Sequence, residues 1–146
     1  MIHLLDVNVL IALADPSHVS HDKAHAWFAQ EGGTGWATCP ITENGFVRIL
    51  SNPKYANSPG GPAEAALVLN AFVGVPGHIF WQDSISLRDG ALFRHDRIGH
   101  AANVTDSYLL ALAAANAGAL ATLDRRLSPL AVHGGRAALR IIGEDA

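Results

Sequence analysis

Four acidic side chains lie at, or within a few residues of, a predicted strand-to-helix junction or the start of a predicted helix. They are far apart in the chain but share this position: Asp6, Glu43, Asp106 and Asp124. Parallel α/β sheets gather the ends of their strands at one edge, and they bind ligands there. Two like charges about 4 Å apart repel by about 4 kcal/mol at an effective dielectric near 20. A divalent cation removes this cost, so the pattern predicts an anionic metal site.

Carboxylate oxygens determine which ion this site would hold. In the absence of His or Cys ligands, hard oxygen donors select Mg²⁺ or Mn²⁺ over zinc. Such an ion orients a water molecule, lowers its pKa and stabilises negative charge on a phosphate and its leaving oxygen. Hydrolysis of a phosphodiester is therefore the chemistry that suits these four residues.

The acids also have a purely structural interpretation. An apolar run that ends in Asp6 is typical of a buried strand followed by a capped helix, because Asp is a preferred N-cap residue. Glu43 in the first turn of a helix would interact favourably with the helix dipole, by up to about 1 kcal/mol. Only the convergence of several acids at one edge distinguishes the two interpretations.

The elements that would position the acids alternate along the chain. Strands are predicted at Ile2–Leu5, Gly35–Cys39, His78–Trp81, Ala119–Leu123 and Arg140–Ile142. Helices are predicted at Asn8–Ala14, at His18–Ala29, at Ile41–Leu50, from Pro62 to a stop at Gly74, and from Thr105 to Gly118. Strands separated by helices imply βαβ crossovers. We therefore expect one three-layer α/β/α domain over residues 1–146, with a mostly parallel central sheet of about five strands.

The segment from Ser84 to His100 is the most basic part of the chain. One interpretation is an ordinary polar helix with its loop, and the other is a surface that grips phosphates. On the second interpretation, the substrate-binding side chains are those of Arg88, Arg94, Arg97 and Arg125.

Three histidines and one cysteine give weaker signals. His18, His21 and His25 recur at helical spacing and could hold a metal ion from one face. They lack the acidic partner of a His-Glu-x-x-His motif, which favours a solvated helix face instead. Cys39 is the only cysteine, so we expect a small core residue rather than a disulfide or a catalytic thiol.

The composition excludes several classes of protein. With 146 residues, 49% hydrophobic and 16% charged, the chain has the composition of one folded domain. Its net charge of −3 argues against a protein that coats nucleic acid by bulk electrostatics. The most apolar stretch, Tyr108 to Leu123, is too short to span a membrane, and the first strand leaves no room for a cleavable signal. We therefore expect a cytoplasmic protein that makes no membrane contact.

Four segments in this order resemble the successive blocks of PIN-domain ribonucleases, and most closely the VapC toxins of bacterial VapBC toxin-antitoxin systems. They are LLDVNVLIAL at Leu4 to Leu13, TENGFVRIL at Thr42 to Leu50, TDSYLLALA at Thr105 to Ala113 and TLDRRL at Thr122 to Leu127. The resemblance covers nearly the whole chain. It implies a metal-dependent endoribonuclease that cuts structured RNA, often transfer or ribosomal RNA. It also implies a protein that commonly forms a homodimer and is held inactive by a VapB antitoxin.

The resemblance also assigns roles to individual residues. The acidic quartet of the family matches Asp6, Glu43, Asp106 and Asp124, and its supporting small polar residues match Asn8 and Thr122. We expect Asp6 and Asp106 to bind one Mg²⁺ or Mn²⁺, and Asp124 to complete the coordination directly or through water. Glu43 is expected to orient or deprotonate the attacking water, or to help to hold a second ion.

Two rival functions share part of this pattern. A haloacid-dehalogenase-like phosphatase also begins with an apolar strand that ends in Asp, but it needs a second Asp two residues later as an acid, where this chain has Asn8. The rival from another class is a non-catalytic RNA- or protein-binding module in which the acids merely hold a metal. The intact quartet of acids argues against this second rival.

Overall fold

A five-stranded parallel sheet forms the centre of the protein, seen here in a computed structural model that describes residues 1–143. Its strands are β1 (His3–Leu5), β2 (Trp36–Thr38), β3 (His78–Phe80), β4 (Ala119–Thr122) and β5 (Leu139–Ile141). Their order is β3-β2-β1-β4-β5, and every pair of neighbours is parallel. The prediction of about five parallel strands is confirmed. The predicted domain includes residues 144–146, which lie outside the described residues.

The order of the strands creates a crevice beside β1. The chain first moves outward through β2 and β3 on one side, and then returns to add β4 and β5 on the other. The carboxyl ends of all five strands therefore lie at the same edge. Ligand sites in open α/β sheets lie outside this edge, at the point where the strand order reverses. Here that point lies between β1 and β4.

Helices cover both faces of the sheet, which confirms the three-layer α/β/α fold. They are α1 (Val7–Ala14), α2 (His21–Trp27), α3 (Pro40–Leu50), α4 (Pro62–Val73) and α5 (Val104–Ala115). Successive strand residues point to opposite faces. Leu5 packs in the apolar cluster that α1 to α4 contribute, and Leu4 packs in the cluster around α5. The apolar residues Leu4 and Leu5 are both fully buried, as expected for a central strand.

Local signals in the sequence explain where the helices begin. Asp6 is the N-cap of α1, and Pro40 and Pro62 occupy the first positions of α3 and α4, where proline costs no hydrogen bond. The start of α3 is fixed further by Thr42, whose hydroxyl accepts from the Cys39 amide at 3.0 Å. Cys39 is fully buried, as expected for a core residue, and burial raises the pKa of its thiol.

The second helix begins later than the sequence suggested, and its histidines are used differently. Residues 16–20 form turns, and α2 starts only at His21. The ring nitrogens of His21 and His25 lie 2.7 Å and 3.0 Å from the carbonyl oxygens of Ala12 and Leu13. Carbonyls only accept, so both rings donate to the last turn of α1, where helical carbonyls lack partners. These contacts fasten α2 to the end of α1, while His25 stays exposed, as the solvated face predicts.

The basic segment Ser84 to His100 is not an α-helix, so that interpretation was wrong. It consists of extended and turn residues with one short 3₁₀ helix, His95–Arg97. The Asp89 carboxylate accepts from the Ala91 amide at 2.9 Å, which favours a turn over helical hydrogen bonds. The Arg94 amide donates to the Ala131 carbonyl at 2.8 Å, so the segment is held by tertiary contacts.

Helix α5 ends at Ala115, three residues before the stop expected at Gly118. Ala117 adopts a left-handed conformation, with a φ of 56°, at the position where glycine is usual. Gly118 is required for another reason, because a Cβ atom there would lie 2.5 Å from the Ile2 carbonyl oxygen. Within residues 1–143, no helix has the length and apolarity needed to cross a lipid bilayer.

Candidate active site

Asp6 lies at the carboxyl end of the central strand and serves both roles considered from the sequence. Its Oδ1 accepts from the Val7 amide at 2.7 Å, which caps α1. Its Oδ2 accepts from the Thr122 hydroxyl at 2.8 Å, across the crevice between β1 and β4. The side chain is only 6% exposed, and this burial raises the pKa of Asp6 above its ordinary value. The capping role and the position at the ligand-binding edge are therefore compatible.

Asn8 and Thr122 orient this carboxylate from two elements. The Asn8 amide nitrogen donates to Thr122 Oγ1 at 3.2 Å and, more weakly, to Asp6 Oδ2 at 3.4 Å. Its amide oxygen accepts from the Leu123 backbone at 3.1 Å, so Asn8 joins α1 to the end of β4. Thr122 Oγ1 also accepts from the Asp124 amide at 3.1 Å. A single buried hydroxyl thereby connects Asp6 with the segment that carries Asp124.

Asp106 and Asp124 complete an acidic group at the same edge. Asp106 lies in the first turn of α5, the helix that leads into β4, and Asp124 follows β4. Burial first, and then the charges of Asp6 and Asp124, raise the pKa of Asp106 to about 6. The charge of Asp124 also contributes to the raised pKa of Asp6. The structure thus brings these three aspartates within electrostatic range of one another.

The three aspartates have the chemistry of a magnesium or manganese site without being a finished metal cage. Among residues 1–143, no three His, Cys, Asp or Glu side chains form a ready-made metal-binding cluster. Mg²⁺ is usually bound by only one or two carboxylates and keeps several waters. The donors around Asp6 are carboxylate, hydroxyl and amide oxygens, and the carboxylates repel one another. This donor set fits a hard dication, which would relieve the repulsion.

Glu43 lies beside the end of β2 and belongs to a separate hydrogen-bonded group. Its Oε2 accepts from the Thr38 hydroxyl at 2.7 Å, and the same hydroxyl oxygen lies 2.7 Å from Nε2 of His78. Thr38 is fully buried at the last position of β2. Its strand neighbours β1, so Glu43 belongs to the same edge of the sheet as Asp6. The connection through Thr38 and His78 was not predicted, because no motif in the sequence links them.

The predicted substrate-binding arginines are distributed over several places. Arg97 lines a small cleft beside Asp106, together with Asn103 and Ser128. Arg94 lines a different, mainly apolar groove, while Arg88 lies exposed against Ser86 and Arg125 is also exposed. Of these four arginines, Arg97 lines the cleft with Asp106, and Arg125 directly follows Asp124 in the chain without lining that cleft.

Arg126 is a second arginine of that cleft that was overlooked in the sequence. Its backbone amide donates to Asp124 Oδ1 at 2.9 Å, and its guanidinium lies 3.7 Å from the same oxygen. The side chain is 95% exposed, so the guanidinium is free to swing toward an anionic ligand. The sequence signal that could have identified Arg126 is its position directly after Asp124 and Arg125.

Comparisons of the sequence with known proteins identify relatives that span most of this chain. The PIN domain family model matches residues 3–132. Ribonuclease VapC44 of Mycobacterium tuberculosis is 44% identical over 131 residues, which cover 90% of this chain and 92% of the relative. Ribonuclease VapC39 of the same organism is 46% identical over 134 residues, which cover 92% and 96% of the two chains.

Two solved structures share the fold at lower sequence identity. VapBC2 from Rickettsia felis, bound to a DNA fragment from its promoter, aligns with a TM-score of 0.56 and 16% identity, covering 86% of this chain and 90% of that one. Mycobacterium tuberculosis VapC20, described as a Sarcin-Ricin loop cleaving toxin, aligns with a TM-score of 0.56 and 13% identity, covering 79% and 83%. The family model and the relatives above 40% identity set aside the dehalogenase-like alternative. The chain belongs to the PIN-domain family and is a VapC-type ribonuclease.

Proposed function

We propose that this protein is a Mg²⁺- or Mn²⁺-dependent endoribonuclease toxin that hydrolyses phosphodiester bonds in structured RNA, with transfer or ribosomal RNA as the substrate class. The observation that carries the proposal is the placement of Asp6, Asp106 and Asp124 at the edge where β1 and β4 end, with Thr122 hydrogen-bonded to both Asp6 and the Asp124 amide. A buried group of like charges is costly unless a cation compensates it. A protein without such a cation would gain stability by losing one of these acids.

In the proposed reaction, the acidic residues and their hydrogen-bond partners have different roles. Asp6 and Asp106 would bind the ion, with Asp124 completing the coordination directly or through water. When bound, the ion would activate a water molecule and stabilise negative charge on the phosphate. Glu43 Oε2 accepts the hydrogen bond from the Thr38 hydroxyl, which leaves Oε1 to orient or deprotonate the attacking water. Asn8 and Thr122 would keep Asp6 aimed while the ion binds.

The partners follow from the relatives. The ribonuclease names of VapC44 and VapC39 support RNA as the substrate, and the VapBC2 structure supports a VapB-type antitoxin as the partner that neutralises the protein. The description of VapC20 as a Sarcin-Ricin loop cleaving toxin supports ribosomal RNA within that class. We also propose a homodimer in the cytoplasm, without membrane contact, and sedimentation equilibrium would measure the oligomeric state directly.

Cleavage of purified RNA tests the proposal. Total bacterial RNA incubated with the protein and Mn²⁺ should give discrete fragments, and a chelator should abolish them. Asp6→Asn should abolish cleavage without unfolding the protein. Asp22→Asn, which removes an exposed charge from the first turn of α2, is the matched control and should cut normally. RNA that is retained but never cut would favour the non-catalytic binding module instead.

A further inference from the structure

The geometry points to His78 as a positioning residue that aims Glu43 through the buried hydroxyl of Thr38. His78 lies on β3, two strands away from Asp6, and nothing in the acidic quartet refers to it. The inference rests on the proposed role of Glu43 in the reaction. On this inference, β3 contributes a residue that helps to orient Glu43, in addition to Thr38 of β2.

The number of protons determines the direction of each hydrogen bond. Thr38 Oγ1 lies 2.7 Å from Glu43 Oε2 and 2.7 Å from His78 Nε2. A hydroxyl has one proton, and an ionised carboxylate only accepts. The Thr38 proton therefore goes to Glu43. His78 must then be the donor to Thr38, through a proton on Nε2.

The ring of His78 is held in place by its neighbours. Its centroid lies 4.7 Å from the indole of Trp36, the residue paired with it in the register of β2 and β3. Burial lowers the pKa of His78 below its ordinary 6.5, although the charge of Glu43 opposes this effect. The ring is thus neutral at physiological pH and keeps one N–H, which the Thr38 contact assigns to Nε2. Trp36 and Thr38 are both fully buried, so this arrangement is rigid.

The consequence for Glu43 follows from the freedom of a hydroxyl to rotate. With His78 donating to its oxygen, the Thr38 hydroxyl has one fixed donor, and it directs its single proton to its acceptor, Glu43. Without that donor, Thr38 can turn its proton to another acceptor, and the Glu43 carboxylate loses the contact that fixes its rotamer. Groups that orient catalytic carboxylates or ligands in this indirect way typically contribute about 10–100-fold to activity.

Two substitutions of His78 test the proposal by kinetics. His78→Phe keeps a planar ring against Trp36 but removes the N–H donor, and we expect kcat to fall about 10-fold with KM unchanged. His78→Gln retains an amide N–H donor and should recover most of the lost rate. Ile79→Ala, which trims the next residue of the same edge strand, is the matched control and should keep native kcat. Equal losses in all three variants, or no loss in His78→Phe, would overturn the inference.

A double-mutant cycle shows whether His78 acts through Thr38. Thr38→Val removes the hydroxyl with little change in volume, and in that background His78→Phe should cost less than about 2-fold more. Multiplicative losses would overturn the inference. Glu43→Gln separates the two proposals, because native activity in that variant refutes the role of Glu43 itself. Activity lost in Glu43→Gln but retained in His78→Phe refutes only the role of His78.

A measurement on metal-free protein avoids dependence on activity. A ring N–H that donates to a buried hydroxyl exchanges slowly with water, so His78 should give an observable Nε2–H signal in ¹H–¹⁵N spectra. Thr38→Val should remove this signal, whereas Thr38→Ser should keep it. A signal that persists unchanged in Thr38→Val, or that is absent from the native protein, contradicts the proposed hydrogen bond.

Discussion

The hydroxyl of Thr122 donates to Asp6 Oδ2 at 2.8 Å, which joins the ends of two neighbouring strands through their side chains. The same oxygen accepts from the Asp124 amide at 3.1 Å. Thr122 is fully buried, so water cannot replace it as a partner of Asp6. This hydrogen bond lowers the pKa of Asp6 and so opposes the larger effect of burial. Thr122 therefore helps to keep the Asp6 carboxylate ionised and fixed in its orientation.

Replacing Thr122 by Val should reduce RNA cleavage by about 10–100-fold, because Asp6 loses the partner that favours its ionised form. The affinity for Mn²⁺, measured by isothermal titration calorimetry, should fall as well. Thr122→Ser retains the hydroxyl and serves as the control. Native cleavage by the Val variant would show that Thr122 has no part in the site.

Replacing Asp106 by Asn should abolish cleavage but raise the melting temperature of the metal-free protein at neutral pH. The pKa of Asp106 is raised to about 6, by burial first and then by Asp6 and Asp124, so the folded protein holds the ionised form at a cost. This pKa exceeds the ordinary value of 3.8 that applies to the unfolded protein. Between about pH 4 and pH 6 the folded protein therefore binds more protons than the unfolded protein. The cost is therefore fully present above about pH 6 and disappears as the pH falls toward about 4.

Calorimetry of metal-free protein at two pH values tests whether Asp106→Asn raises the melting temperature and how this change depends on pH. The stabilisation by Asp106→Asn should be larger near pH 7 than near pH 5. Cleavage by the native protein should also weaken as the pH falls through about 6, because protons compete with the metal for Asp106. A lower melting temperature for Asp106→Asn near pH 7 would contradict the electrostatic account of the site.

Replacing Tyr55 by Phe should destabilise the protein by about 1.5–3 kcal/mol, the usual range for a hydrogen bond to a charged group. The Tyr55 hydroxyl donates to Asp15, a carboxylate that also accepts from Asn57 at 2.7 Å. These contacts, that of Tyr55 first, lower the pKa of Asp15 below 3.8. Their stabilising effect is present above about pH 4 and is lost as the pH falls further. Urea unfolding near pH 7 and near pH 3 should show a smaller difference between native and variant proteins in acid.

Replacing Arg97 or Arg126 by Ala should weaken RNA binding more than replacing Arg88. The first two line the cleft beside Asp106, whereas Arg88 lies against Ser86. Each phosphate contact that is lost should reduce the salt dependence of binding, log K against log[salt], by about 0.7–0.9. Filter binding to the same RNA over a range of salt concentrations measures this slope. An equal effect from Arg88→Ala would place the RNA along the whole basic segment instead.

Replacing Ala117 by Gly should stabilise the protein by about 0.5–1 kcal/mol. Ala117 ends α5 with a φ of 56°, a conformation that costs an alanine about 1–2 kcal/mol, partly offset by the greater unfolded entropy of glycine. Thermal unfolding would measure the gain, with Ala115→Gly inside the helix as the opposite control. Destabilisation by Ala117→Gly would contradict this account.

The sheet and most of its helices could be predicted because their signals are local and repetitive. The apolar run around Leu4 and Leu5, the proline at the start of α3 and the Ala-rich α5 each carry their own pattern. The segment Ser84 to His100 could not be predicted, because its order depends on tertiary contacts such as that of Arg94 with Ala131. Charge alone does not distinguish a polar helix from a loop pinned to the rest of the chain.

The candidate site shows a similar division. The positions of Asp6, Asp106 and Asp124 followed from their places at the ends of elements, which topology brings together. The chain of contacts from His78 through Thr38 could not be foreseen, because it depends on side-chain directions across two strands. The hydrogen bonds of His21 and His25 could not be predicted for the same reason, since the carbonyls that they reach belong to another helix.

The central place of β1 in the sheet has a consequence during protein synthesis. On one side β1 pairs with β2, which follows soon in the chain. On the other side it pairs with β4, which is synthesised much later. A polypeptide still attached to the ribosome therefore carries Asp6 long before Thr122 and Asp124 have emerged from the exit tunnel. The acidic group that Asp6 shares with Asp106 and Asp124 therefore cannot assemble until α5 and β4 have been synthesised.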